Sequence, residues 1–357
     1  MRVVELEGVI FGGGVAGLWL LDELRRRGVS ALLVERDALG SGQTICAQGI
    51  LHSGLKYTLQ GMVTQAAREA RRMPELWREA LDGRGEVDLS GVGVRSEHCY
   101  LWRTNDLSSR LGMFGAHIGL KVTPRTVEGD ERPEVFRGCP GPVARVAEPV
   151  IDTGELLRVL AERNRERIVR ADEVEFETTS AGNVRSVRLR AGDQEIGIRC
   201  GKVILAAGGG NEALREACGL ASRAMQRRPL QMVMVRGDLP ECYGHCVDGA
   251  KTRVTITSAR DCAGRVVWQL GGQVAELGVN CSAREAMAFA REELKAVLAG
   301  VNFENAEWGS YRIDRAEEKM RLGARPDSVS VLEEGNVLTV WPTKLVLAPM
   351  LAKKVGE

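Results

Sequence analysis

The chain has 357 residues, of which 42 are glycine, 11 proline, 9 cysteine and 4 histidine. At 44% hydrophobic and 27% charged it has the composition of a folded protein with a sizeable core, which excludes disorder and collagen-like repeats. The 49 basic residues almost balance the 48 acidic ones, and a net charge of +1 gives no electrostatic case for nucleic acid or a membrane surface as partner. No apolar run reaches the roughly 18 residues of a membrane span, and no signal-peptide pattern opens the chain. Nine scattered cysteines with no Cys-x-x-Cys pair fit a reducing cytoplasm better than a disulfide framework. These features predict a soluble cytoplasmic protein of two domains, or one large α/β domain with a second lobe.

Residues 3–11 (VVELEGVIF) read as an apolar strand that runs into a G-x-G-x-x-G formed by Gly12, Gly14 and Gly17. An amphipathic helix follows, with Leu18, Leu21 and Leu24 on one face and Gly28 at its C-cap position. A second strand over 31–34 ends on Glu35. In such a β-α-β unit the first glycine permits the tight turn and the second lets a pyrophosphate approach the backbone. The third lets helix and strand pack closely, while the helix N-terminus faces the phosphate charge. Gly12, Gly14, Val15, Ala16 and Gly17 are therefore candidate cofactor contacts, with Glu35 and its neighbour Arg36. A carboxylate at Glu35 would accept hydrogen bonds from a ribose and repel a 2′-phosphate, which favours FAD or NAD over NADP.

The segment after Glu35 separates those two. Residues 35–44 (ERDALGSGQT) and 49–57 (GILHSGLKY) have no place in a plain NAD domain. They resemble the D-amino-acid oxidase superfamily of FAD enzymes, especially its glycerol-3-phosphate and 2-hydroxyglutarate dehydrogenase branches. There a Gly/Ser/Thr loop and a histidine-containing "IHSGxxY"-like stretch follow the ribose acid. The resemblance implies that this loop passes the FAD phosphates and runs under the isoalloxazine ring, which makes Gln43, Thr44, Leu51 and His52 candidate contacts. It extends to Pro149-Val150-Ile151-Asp152 with Leu157 and Leu160, and through 168–174 to Val174, whose counterpart holds the adenine by its backbone. It also covers 202–208 (KVILAAG), where Ala207 and Gly208 would pack back against FAD. Near the C-terminus Arg325-Pro326-Asp327 matches part of a family stretch, but Trp341-Pro342-Thr343-Lys344-Leu345 replaces the usual Gly-x-Gly turn. A helix beginning near Pro342 would still aim N–H groups at the flavin, with Thr343, Lys344 and Leu345 as contacts.

Other motifs compete with this reading. Gly208-Gly209-Gly210-Asn211-Glu212-Ala213 parses as a second fingerprint, but no Cys-x-x-Cys redox pair or ribose acid accompanies it. Cys242, His245 and Cys246 offer three zinc ligands where a structural site needs four, and they read as buried or loop residues; no metal is expected. Cys46 lies in the flavin loop and reads as a small packed residue. His52 is either a locally packed histidine or, in the catalytic reading, a group that accepts a hydroxyl proton during hydride transfer. Arg312, in 308–312 (WGSYR), resembles a family arginine that clamps a substrate carboxylate; its rival is a charged residue on a surface helix.

The predicted fold is α/β: a discontinuous Rossmann-like FAD-binding domain (1–75, 148–220 and 330–357) with a second, mainly antiparallel β substrate lobe (76–147 and 221–329). In that lobe short strands near 233–236, 253–257 and 265–270 are covered by a helix over 283–298, and 121–147 reads as loop. The expected activity is an FAD-dependent oxidase or dehydrogenase. It would remove a hydride from a C–H next to an amine or hydroxyl of a small anionic substrate: an amino acid, hydroxy acid or polyol phosphate. The alternative is a non-catalytic FAD-binding assembly or interaction factor. The sequence leaves the electron acceptor open among oxygen, a quinone and another protein.

Overall fold

The computed structural model describes residues 2–52, 72–104, 125–248 and 251–357. Ser53 to Tyr57, which complete the histidine-containing stretch, lie outside the described residues. Strand β1 (Arg2–Phe11), helix α1 (Val15–Arg26) and strand β2 (Ala31–Glu35) form the β-α-β unit that the glycine fingerprint predicts. Val9, Ile10 and Phe11 are all buried, so the end of β1 is apolar on both faces, as a central parallel strand must be. The first sheet has the order Ser330–Glu334, Val337–Trp341, Gln194–Leu205, β1, β2, Ile168–Arg170. All neighbours are parallel except the first pair, and the strands Glu173–Thr178 and Val184–Ala191 extend Gln194–Leu205 as an antiparallel meander.

Helix Thr153–Arg163 packs beside α1 and is capped by Asp152, whose carboxylate accepts from the Glu155 amide at 2.9 Å. On the same side Trp19 meets Trp77 edge to face with ring centroids 4.8 Å apart, and Trp77 Nε1 donates to the Val346 carbonyl at 2.9 Å. That contact ties the C-terminal segment to the helix layer over the sheet.

The second sheet runs Glu307–Glu318, Met225–Gly237, Val266–Gly271, Lys251–Arg260, Gly244–Asp248, Cys99–Trp102, Val143–Val146, Arg125–Val127. Only the contact between Gly244–Asp248 and Cys99–Trp102 is parallel. The helix Ala283–Val297 covers one face, its start fixed by a capping box between Ser282 and Glu285. Two sequence expectations change, and one rival reading falls away. The 121–147 segment contributes two strands where loop was expected: Val127, Val143 and Val146 are all buried, Val143 in the core under the helix and Val146 beside Ile50, Cys99 and Val150. His245 and Cys246 sit in a strand rather than in a Pro/Gly loop. The charged stretch 307–318 is a strand rather than a surface helix, paired residue for residue with 225–236.

The other face of this sheet meets the loop that leaves β2. Gln48 Nε2 donates to the carbonyls of Thr255 (3.3 Å) and Gln269 (2.9 Å), and Gln269 Nε2 donates to the Cys46 carbonyl (2.9 Å). Gln43 Oε1 accepts from the Ala316 amide at 3.0 Å. Residues 43–48 are thus sutured to the second sheet by side-chain carboxamides.

Candidate active site

The glycine turn is built by close approach. A Cβ on Gly12 would stand 2.5 Å from Ala207 Cα, and one on Gly17 would stand 2.0 Å from the Gly12 carbonyl oxygen. Only glycine lets the end of β1, the end of Gln194–Leu205 and the start of α1 share that space. Gly14 is the N-cap of α1 and no side chain caps it; the Val15 amide donates to Thr44 Oγ1 at 3.1 Å. The amides of Ala16 and Gly17 complete an uncapped helix start, which is a donor set suited to a pyrophosphate. Glu35 Oε2 accepts from the Gly13 amide at 2.6 Å, and Oε1 accepts from the Arg36 and Asp37 amides at 2.8 and 2.9 Å. The carboxylate is thereby held at the rim of the turn, where a ribose hydroxyl would meet it. Arg36 itself is exposed and pairs with Asp37.

The remaining expected contacts surround this turn in part. Ala207 and Gly208 follow the strand beside β1, and the Ala207 amide donates to Asn211 Oδ1 at 2.7 Å. Asn211 is fully buried and its Nδ2 donates to the Val340 carbonyl. The 208–213 stretch therefore serves this strand junction, with only a short helix, Asn211–Ala217, behind it. Val174 lies in the meander opposite Leu189, three residues after Ala171, whose amide donates to the Glu35 carbonyl at 3.0 Å. Thr343, Lys344 and Leu345 form a turn; the helix expected near Pro342 begins later, with a short 3-10 turn at Leu345–Leu347 and the α-helix at Ala348. The Lys344 amide bonds to the Pro342 carbonyl at 2.7 Å, and its Nζ donates to the Asp327 carbonyl.

His52 emerges where the sutured loop ends. Leu51, fully buried, donates its amide to the Pro149 carbonyl at 2.8 Å, which sets His52 beside Glu148. His52 Nδ1 lies 3.2 Å from Glu148 Oε2, and His245 Nε2 lies 3.9 Å from the same oxygen. His245 Nδ1 is 2.9 Å from Thr255 Oγ1, and Thr255 is also the residue whose carbonyl holds Gln48. Two of the four histidines thus flank one buried carboxylate, next to the loop that starts at the glycine turn. Cys242 and Cys246 are turned into the core of the second sheet, where burial pushes the Cys246 thiol up to about 12. They do not join His245 in a zinc set. Burial also raises Cys46 above its ordinary value, so its thiol stays protonated.

Alternation along Glu307–Glu318 sorts its side chains between two faces. Trp308, Ser310 and Arg312 point to the helix-covered face: Arg291 lies 6.0 Å over the Trp308 ring, and Ser310 Oγ accepts from Gln231. Arg312 is exposed with its Nη1 3.5 Å from the Val279 carbonyl, so the structure does not bring it to His52. Tyr311, one residue earlier, faces the loop: its hydroxyl bonds to Gln269 Nε2, and burial raises it to about 12, which keeps it a neutral phenol. Arg315 stands on the same face opposite Arg228, whose Nε donates to the fully buried Glu317 at 2.8 Å. Burial, with the Arg228 and Arg325 guanidiniums nearby, pulls Arg315 down to about 10. Arg325 is exposed, and desolvation by the surrounding protein together with Arg228 lowers it. The sequence reading missed this arginine group. Arg325 was noted only for its place beside Pro326, and the facing of Arg228 and Arg315 depends on a strand register that spans 87 residues.

Comparison with known proteins agrees with this geometry. Residues 8–312 match the family described as FAD dependent oxidoreductase (DAO). The chain is 40% identical over 361 residues to the probable FAD-dependent oxidoreductase PA4991 of Pseudomonas aeruginosa, covering 99% of this chain and 90% of that protein. The crystal structure of PA4991 superposes with a TM-score of 0.84 at 36% identity, covering 99% and 90% of the two chains. Glycine oxidase from Geobacillus kaustophilus shares the fold with a TM-score of 0.68 at 17% identity, over 98% of this chain and 93% of that one. L-α-glycerophosphate oxidase from Mycoplasma pneumoniae does so with the same score at 14% identity, over 98% and 94%. No helix among the described residues is long and apolar enough to cross a membrane. The chain is an enzyme that uses FAD, and it belongs to the DAO family of FAD-dependent oxidoreductases.

Proposed function

We propose that this enzyme oxidises a C–H bond next to an amine or hydroxyl in a small anionic substrate, such as an amino acid, hydroxy acid or polyol phosphate. In this reading the FAD pyrophosphate sits on Gly12, Gly14, Val15, Ala16 and Gly17 with Thr44, and the ribose on Glu35. The first sheet with its helices forms the cofactor-binding unit, discontinuous in sequence, and the second sheet forms the substrate lobe. FAD held there would supply the acceptor for the hydride that leaves the substrate carbon. His52 Nε2 accepts the proton released by the amine or hydroxyl, so the product is the imine or carbonyl compound. Tyr311 and Gln269 hold the substrate side of the cleft with neutral hydrogen-bonding groups.

The observation that carries the choice of an anion is the inward-facing arginine group. Arg315 is largely buried beside Arg228, and both it and Arg325 are held below their ordinary pKa values by desolvation and mutual repulsion. A carboxylate or phosphate placed between them relieves that repulsion and meets planar donor forks. Arg312, on the opposite face, has no part in this.

Anaerobic mixing of the yellow enzyme with a panel of amino acids, hydroxy acids, polyol phosphates and their neutral analogues tests the reading. Anionic members should bleach the flavin and neutral analogues should not. Arg315→Met should weaken the effective substrate by about 10- to 100-fold, the worth of one or two charge-assisted hydrogen bonds, with FAD content unchanged. Equal bleaching by neutral analogues would remove the anion from the proposal.

A further inference from the structure

We infer that Glu148 is a positioning residue that fixes the tautomer of His52, with His245 bracing the same carboxylate from the other side. This rests on the reading of His52 as proton acceptor. The arrangement is set by the backbone. Gly49 (φ +74°) accepts from the Ile151 amide at 3.0 Å, and a Cβ there would stand 2.2 Å from the Ile151 carbonyl oxygen. With the Leu51 amide on the Pro149 carbonyl, this pairing makes 49–51 antiparallel to 149–151 and places His52 against Glu148. Glu148 is only 3% exposed, and a carboxylate so buried must be compensated by donors. An ionised carboxylate only accepts, so a 3.2 Å contact from Oε2 puts the imidazole proton on Nδ1 and leaves the lone pair on Nε2. In water the other tautomer is the commoner one. Glu148 therefore selects the form that can take a substrate proton, and then stabilises the imidazolium that results. His245 is itself anchored by Thr255, and its ring lies 5.4 Å from that of His52, so it limits the rotation of both partners.

The same three ligand atoms lie within 4.8 Å of one another, a spacing that also suits a divalent cation. The separation of His52 Nδ1 from Glu148 Oε2 is that of a hydrogen bond, and the test separates the two.

The experiment uses the full-length, FAD-loaded enzyme labelled with ¹⁵N-histidine, where four histidines give a readable spectrum. His52 is assigned by its loss in His52→Gln. Wild type should show Nε2 of His52 unprotonated, and Glu148→Gln should move it toward the Nε2–H form. In stopped-flow reduction, Glu148→Gln should lower the limiting rate by about 100-fold while the substrate Kd changes by less than about threefold. Glu148→Asp, which keeps the charge but not the shape, should recover at least about tenfold of that loss; a packing role would instead favour the isosteric glutamine. The inference fails if Glu148→Gln leaves the tautomer and the rate unchanged, or if wild type holds stoichiometric zinc after dialysis that Glu148→Gln loses. If His52→Gln reduces as fast as wild type, the proton-acceptor reading itself falls, whatever the tautomer.

Discussion

Thr343 holds a φ of +59°, alone among the described residues other than glycine in that region. A β-branched residue there costs on the order of 1–2 kcal/mol, so something must hold it. Its hydroxyl lies 3.0 Å from the Ser328 carbonyl and 2.7 Å from that of Pro342, and the residue is almost fully buried. The turn thus keeps a glycine-like backbone where the family's usual Gly-x-Gly is missing, and uses a side-chain hydrogen bond to do it. Thr343→Val should destabilise the fold by about 1–2 kcal/mol, because it keeps the strain and removes the hydroxyl that bonds to the Ser328 carbonyl. Thr343→Gly should be close to neutral, since relief of strain offsets the lost bond. Urea titration followed by tryptophan fluorescence measures both. At this scale the sequence was readable where function is local. The glycines and Glu35 lie together in one β-α-β unit that the sequence predicts. Glu148 was missed, although an acid between Ala147 and the apolar run of Pro149, Val150 and Ile151 is a signal that a buried charge is wanted.

Among the elements, α1 shows how a charge is kept inside. Asp22 is fully buried on this helix and receives Arg25, Arg26, Arg163 and Asn164. Burial by itself raises its carboxyl, but Arg163, Asn164 and Arg25 outweigh it and hold the group below its ordinary value. A folded-state pKa below the unfolded one means stability present above the unfolded value near 3.8 and lost as pH falls through the lower, folded value. Asp22→Asn should cost about 2 kcal/mol, less than a fully buried ion pair because the arginines remain partly exposed. It should also flatten the fall in stability below about pH 4, which denaturant midpoints measured from pH 3 to 7 will show. Elements with a strong period were legible from sequence: α1 and Ala283–Val297 fall where their apolar spacing puts them. Glu307–Glu318 was not, because its alternating Tyr, Arg and Asp side chains suit a solvated helix equally well until the partner strand fixes the register.

For the molecule as a whole, the two sheets meet through the 43–48 loop and also directly, where Met225 and Ala316 pack against Trp341. Gln48 bonds two carbonyls of the second sheet while the same loop presents Thr44 to the start of α1. Gln48→Ala should therefore loosen cofactor binding as well as stability. Losing two hydrogen bonds of about 1 kcal/mol each should raise the FAD Kd by up to about 30-fold, measured by flavin fluorescence on release. Gly271→Ala should act alike, because its Cβ would stand 2.4 Å from Gln48 Oε1. Unchanged retention in both variants would mean that the suture has no influence on the cofactor. This docking could not be read in advance, since its partners lie more than 200 residues apart in sequence.

The strand order of the first sheet has a bearing on how the protein is made. Strand β1 leaves the ribosome first, yet its edge is closed by residues 196–205, and the outer neighbour at 337–339 follows much later. Until residues 196–205 are made, the nascent chain therefore carries an apolar strand with an open hydrogen-bonding edge, bordered on its other side by β2. The glycine fingerprint is complete by Glu35, but Gly12 gains the neighbour it packs against only when Ala207 arrives. Synthesis of this enzyme thus includes an interval in which an apolar strand waits for its partner, and any pause before residue 205 lengthens the demand on chaperones.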